Sequence, residues 1–319
     1  MGKRTVGRRA TRVVLHLVIV VAVIVGSATP AFAAKPSGHG GGGGGGGGGT
    51  VTPTGNDVSY PQCGSNLPAS PAFGIVGVTG GLANDLNPCF GPSSAYPAYT
   101  ASELYWAVAS TVGGTSQSKA SLYVNTADPG NVSGSTVIAD WPTSGSTPYG
   151  DCLTTTVTVN GSTYTVGANS DACAWQYGDN KAAQDVTWLA EAASAIDAQS
   201  PPVPVSGGAG SYPWWLDVET ANTWQSDLTM NVADLQGMIA GLEAAGATSV
   251  GAYSTSSQWD SITGGTNSAS GTLFQIPNWI PGARDLSGAE ANCAQASFTG
   301  GKVTVTQWFG HPDDGDYAC

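Results

Sequence analysis

The sequence predicts an α/β fold, a parallel sheet or barrel flanked by helices, and three observations carry that expectation. Short apolar runs of strand length recur, and amphipathic stretches of helix length separate several of them. The composition, 41% hydrophobic and only 10% charged over 319 residues, suits a packed core and fits neither a polyelectrolyte nor a coiled coil. The stretch from Asn56 to Cys319 is long enough for one large domain and shows no internal repeat and no second linker.

Taken in order, the chain opens on Lys3, Arg4, Arg8, Arg9 and Arg12. An apolar stretch over 13–25 follows, then the small-residue site Ala31-Phe32-Ala33. Residues 1–33 therefore read as a signal peptide, since a membrane span needs roughly 20 apolar residues. Residues 34–54, with glycine at every position over 40–49, cannot bury apolar surface and read as a flexible linker. The domain is expected over 55–319. Its charge excludes two classes of partner. Once the basic leader is set aside, 5 Lys and Arg face 22 Asp and Glu, so neither nucleic acid nor an anionic membrane has a cationic footprint to bind.

Strands are expected over 57–60, 73–78, 122–125, 214–219, 250–254, 274–279 and 303–308. Ala182, Val186, Leu189, Ala190, Ala193 and Ile196 recur at helical spacing. Asn231 is placed to cap a second helix, whose apolar face carries Leu235, Ile239 and Leu242 and which Gly246 ends. Little helix separates the later strands, so a regular eightfold repeat is not expected. Cys63, Cys89, Cys152, Cys173, Cys293 and Cys319 form an even set in an exported chain and read as three disulfides. Six cysteines allow fifteen pairings. The alternating segment over 156–166, turning at Asn160-Gly161, is a hairpin that brings Cys152 to Cys173, and sequential pairing is expected for the other four.

Several chemistries are missing. His311 is the one histidine of the domain, no cysteines have Cys-x-x-Cys spacing, and there is neither a Gly-x-Ser-x-Gly elbow nor a phosphate-binding loop. No metal and no cofactor is expected. Carboxylate chemistry remains. In Trp214-Trp215-Leu216-Asp217-Val218-Glu219, a period of two puts Asp217 and Glu219 on one face and Leu216 and Val218 on the other. Two acids that close repel when both ionise, which favours keeping one protonated as a proton donor for a glycosidic oxygen. Asp57 repeats the pattern on the first strand, while the Asp313, Asp314 and Asp316 tail reads equally as a solvated acidic cluster.

In this order the motifs resemble glycoside hydrolase family 25, the lysozyme-type muramidases, or a divergent secreted branch of that fold. Asp57-Val58-Ser59-Tyr60-Pro61-Gln62 is similar to the family's opening, Leu216-Asp217-Val218-Glu219 to its central Asp-x-Glu strand, and Val250-Gly251-Ala252-Tyr253-Ser254-Thr255 to its Gly-x-Tyr strand. Asn278-Trp279-Ile280 and Thr306-Gln307-Trp308 are similar to two late strands. The resemblance implies an irregular TIM-like β/α barrel of about five β/α units plus three strands, with the hairpin inserted. It implies Glu219 as general acid/base and Asp217 as the group orienting a substrate acetamide, with Asp57, Asp316 and Asp314 as supporting acids. Tyr60, Trp215, Tyr253, Gln307 and Trp308 would contact substrate. The substrate implied is a polysaccharide, peptidoglycan or a related N-acetylated glycan, cut by a secreted or wall-associated monomer. Two departures stand out: Ile75-Val76-Gly77-Val78-Thr79-Gly80-Gly81 lacks the lysine and acid of the second family strand, and Tyr123-Val124-Asn125 lacks the histidine of the third. The competing expectation is a non-catalytic wall-glycan or scaffold domain that keeps the barrel.

Overall fold

The computed structural model describes residues 53–265, 267–310 and 313–319. The leader read over 1–33, all but the end of the linker read over 34–54, and His311 lie outside the described residues.

Eight strands close into a barrel: β1 (Thr54–Val58), β2 (Gly74–Gly77), β3 (Ala120–Asn125), β4 (Trp214–Asp217), β5 (Val250–Tyr253), β6 (Asn278–Ala283), β7 (Val303–Trp308) and β8 (Asp314–Ala318). The order round the ring is β1-β8-β7-β6-β5-β4-β3-β2. Every neighbouring pair is parallel except those of β8, which runs antiparallel to both β7 and β1. Five α-helices follow β2 to β6 in turn: α1 (Glu103–Ser110), α2 (Asp171–Asp197), α3 (Leu228–Ala244), α4 (Ser256–Thr263) and α5 (Leu286–Asn292). The barrel is thus the irregular α/β one expected, with β1 followed only by the short 3-10 turn Tyr60–Gln62.

Alternation sorts the side chains. Leu216 and Val218 of the β4 run point outward into the main core, where they meet Val58, Val76, Leu122, Leu235, Ile239 and Trp259. Inside the barrel, Phe73, Ile75, Trp215, Trp279 and Val305 form an apolar layer beneath the mouth. Burying such large side chains stabilises the fold by about 1.5–3 kcal/mol each. Helices α2 and α3 approach closely because Gly178 faces the Asp234 carbonyl and Gly237 the Trp175 carbonyl, where a Cβ would collide with backbone.

Several element boundaries differ from the sequence reading, among them the end of β4, which stops at Asp217 and leaves Glu219 just beyond the strand. β1 ends at Val58, earlier than expected, because Pro61 has no N–H for a ladder and Gln62 turns back to accept the Ser59 N–H at 3.1 Å. β6 begins at Asn278, since Gln275 adopts a left-handed φ of 66° and Pro277 has no N–H, so the apolar run from Phe274 is loop. Asn231 does not cap α3. Asp227 does, accepting the Thr229 N–H at 3.1 Å, while Asn231 is fully buried inside the helix and donates to the Ile262 carbonyl at 2.9 Å. The acidic tail is not a solvated cluster, because Asp314–Ala318 is the strand that closes the ring.

Between β3 and α2 lies an insertion of small hairpins, the longest pairing Thr154–Val159 with Ser162–Gly167. Its Asn160-Gly161 turn has φ of 51° and 79°, the doubly left-handed geometry those residues favour. Disulfides join Cys63 to Cys89, Cys152 to Cys173 and Cys293 to Cys319.

Candidate active site

The C-terminal ends of the parallel strands and the start of antiparallel β8 converge on a cavity of about 170 Å³, lined by Asp57, Tyr123, Asp217, Glu219, Tyr253, Trp279, Gln307 and Asp314. The strand order explains the convergence. β4 stands four places round the ring from β8, so Asp217 and Glu219 face Asp314 and Asp316 across the barrel. Asp57 on β1 stands opposite Tyr253 on β5, with Asp314 as its register partner on β8.

A chain of hydrogen bonds organises one side. The Tyr253 hydroxyl donates to Gln307 Oε1 at 2.9 Å, and Gln307 Nε2 donates to Asp57 Oδ2 at 2.9 Å. Below it, Trp279 Nε1 donates to Asp316 Oδ1 at 2.9 Å, and Asp316 is fully buried. Burial pushes the Asp57 carboxyl up to about 6, with the Gln307 amide opposing the rise and Asp314 adding to it. Burial and the neighbouring Asp57 hold Asp316 well above the usual carboxylate range.

On the other side, Asp217 is 7% exposed and takes a 2.5 Å hydrogen bond from Asn125 Nδ2 at Oδ2, while Oδ1 has no protein partner. Burial and the adjacent Glu219 raise Asp217 well above its ordinary value, against the pull of the Asn125 amide. Glu219 is half-buried just beyond β4, where its carbonyl accepts the Asn222 N–H at 3.1 Å and the Trp224 indole N–H at 2.8 Å. One buried and one wetter acid therefore share the cavity.

Of the residues anticipated from sequence, Asp57, Asp217, Glu219, Asp314, Tyr253 and Gln307 line the cavity, and Asp316 sits directly beneath. Three lie elsewhere. Trp215 is one layer below Asp217 on the same face, 3% exposed and edge-on to Trp279 at 5.9 Å, so it plugs the barrel. Trp308 follows the inward Gln307 and therefore points out, lying over Gly315. Tyr60, 50% exposed, stands on the 3-10 turn beside Gly81.

Two lining residues were not anticipated, Tyr123 and Trp279. A period of two along β3 and β6 turns both inward, a signal available in the sequence. Tyr123 enters beside Gly77 of β2. A Cβ on Gly77 would lie 2.5 Å from Ser59 Oγ and 2.8 Å from Tyr123 Cζ, so the absence of a side chain there is what lets the phenol enter. No lysine, arginine or histidine is among the lining residues.

Residues 210–279, from the turn before β4 into β6, match the family model described as Lysozyme-like protein 1. Sixty-five residues of the chain are 40% identical to "Probable GH family 25 lysozyme 4" of Dictyostelium discoideum, covering 20% of this chain and 30% of that protein. The matched segment is similar to glycoside hydrolase family 25 lysozymes. This lysozyme-like segment carries Asp217, Glu219, Tyr253 and Trp279. A second protein of the same organism, "Probable GH family 25 lysozyme 2", is 40% identical over 65 residues, 20% of this chain and 28% of its own length. The chain thus spans less than a third of the curated relatives it matches. Among solved structures, the bacterial lysozyme from Streptomyces coelicolor aligns at 16% identity over 84% of this chain and 93% of its own, with a TM-score of 0.41. The muramidase from Trichobolus zukalii aligns at 14% over 83% and 93%, with a TM-score of 0.40.

Proposed function

We propose that the domain is a glycoside hydrolase that cleaves β-1,4-linked N-acetylated glycan, most directly peptidoglycan after N-acetylmuramic acid. The carrying observation is the pairing of buried Asp217, with one oxygen free of protein partners, and half-buried Glu219 at the mouth of a lysozyme-like barrel segment. In this reading Glu219 donates its proton to the glycosidic oxygen as the bond to the anomeric carbon breaks. The substrate's own acetamide oxygen attacks that carbon, and Asp217 accepts a hydrogen bond from the acetamide N–H and stabilises the charge that develops there. Glu219 then takes a proton from water, which opens the cyclic intermediate, so the anomeric configuration is retained. Asp57 and Asp314 line the sugar site, and Tyr253 and Gln307 hold Asp57.

The leader and the three disulfides support export to an oxidising compartment, where the domain acts as a monomer on wall glycan. Among the described residues, no helix is long and apolar enough to cross a membrane.

Incubation with purified peptidoglycan, with new reducing ends read by mass spectrometry, tests the activity. Muramic acid termini are expected. No new ends on any N-acetylated glycan would move the domain to the glycan-binding class. De-N-acetylated glycan is expected to bind but resist cleavage, because the missing group acts only in the transition state.

A further inference from the structure

At the barrel mouth a row of hydrogen bonds crosses four adjacent strand ends. Ser59 Oγ, beyond β1, donates to the Thr79 carbonyl beyond β2 at 3.2 Å. Thr79 Oγ1 donates to Asn125 Oδ1 at the end of β3 at 2.9 Å and accepts the Asn125 N–H at 2.8 Å. Asn125 Nδ2 donates to Asp217 Oδ2 at the end of β4 at 2.5 Å. Thr79 is fully buried and Asn125 is 8% exposed.

The donor directions are forced. A threonine hydroxyl has one proton. The backbone N–H of Asn125 already points at Thr79 Oγ1, so that proton goes to Asn125 Oδ1, which leaves the NH2 end of the amide facing Asp217. A flipped amide would set its carbonyl against the Asp217 carboxylate. The row therefore specifies which amide end meets Asp217, and which Asp217 oxygen stays unpartnered.

We propose that Thr79 and Asn125 act as a positioning clamp on Asp217, holding Oδ2 and reserving Oδ1 for the substrate. The clamp rests on the reading of Asp217 given above. It also opposes the local electrostatics. Glu219 on the same segment, Asp57 from β1 and the phenols of Tyr123 and Tyr253 from β3 and β5 all face Asp217, and none of them is a cation. The Asn125 amide is the donor that favours the ionised carboxylate there.

The test is a pH titration of Asp carboxyl carbons by NMR in the intact, isotopically labelled protein, with the Asp217 signal identified by its loss in Asp217→Asn. In Thr79→Val and Asn125→Leu, Asp217 is expected to titrate about 1–2 pH units higher than in the parent, the worth of a hydrogen bond to a charged group. Thr79→Ser, which keeps the hydroxyl, is expected to restore the parent titration. On glycan, kcat is expected to fall about 10–100-fold in Thr79→Val with KM nearly unchanged, and its acidic limb to move up with the Asp217 titration. An unchanged Asp217 titration in folded Thr79→Val overturns the clamp, as does a Thr79→Ser protein that behaves like Thr79→Val. Should Asn125→Leu fail to fold, the near-isosteric Thr79→Val decides. The NMR arm needs no turnover, so a parent that cleaves nothing overturns the hydrolase reading while the clamp is still judged on its own.

Discussion

At the scale of single residues, Asp217 at the end of β4 and Glu219 just beyond it differ in what surrounds them, and the proposed roles rest on that difference. Glu219 sits at the wetter edge, where a proton can be given and regained, so Glu219→Gln is expected to lower kcat by at least about 10²-fold while unfolding and glycan binding stay close to the parent. Glycan release rates beside calorimetric binding check this, and full turnover in the variant would remove Glu219 from the mechanism. Trp215 makes the opposite case. Although next to the acidic motif in sequence, it fills the barrel floor, so Trp215→Ala is expected to cost about 3–5 kcal/mol in a urea titration. Trp215→Phe should leave KM unchanged, and a large rise in KM for that variant would return the residue to the binding surface. The inward set Asp57, Asp217 and Glu219 was legible because a strand alternates strictly. The same alternation turns Tyr123 inward, but the space above Gly77 that admits its phenol comes from another strand and was not legible.

At the scale of elements, β8 is the piece whose place matters most. It contributes Asp314 and Asp316, closes the ring, and is followed directly by Cys319, which is tied to Cys293 just after α5. Replacing both cysteines by serine is expected to destabilise the domain by about 2–4 kcal/mol. It should also speed amide exchange across 314–318 and reduce glycan turnover. Exchange at 314–318 no faster than in the parent would show that strand pairing alone holds β8. The Cys152–Cys173 bridge, by contrast, staples the insertion hairpin to the start of α2, so its removal should spare the acidic mouth. Sequence gave local elements reliably where the turn chemistry was local, as at Asn160-Gly161. It misplaced β1 and β6 where Pro61 and Pro277 withhold a ladder donor, and it passed over β8 because an acidic pentapeptide carries no strand signal of its own.

At the scale of the molecule, three carboxyls are buried without a matching cation, although Lys181 faces the buried Asp185 and Asp234. Asp57 is raised to about 6, Glu103 to about 7 and Asp128 to about 7, each chiefly by burial. Their ordinary values are 3.8, 4.5 and 3.8. The folded chain therefore binds these protons more tightly than the unfolded chain. Stability is highest below about pH 4 as far as these groups are concerned, and it declines as pH rises through about 6 to 7. Thermal unfolding midpoints are expected to be at least about 5 °C higher at pH 5 than at pH 8. A midpoint that rises over that interval would mean that the buried carboxyls are paired with cations in solution.

Composition, alternation and motif order by themselves determined an α/β domain of acidic charge balance, with a carboxylate pair at the end of a central strand. These properties are local or additive, so the linear chain carries them. Only the tertiary structure decided that Asp314 and Asp316 stand across the barrel from Asp217 and Glu219, that Trp215 is floor and not platform, and that Thr79 reaches Asp217 through Asn125. Each of these depends on which strands become neighbours when the ring closes, and that follows from the packing of the whole chain, which no local period of the sequence encodes.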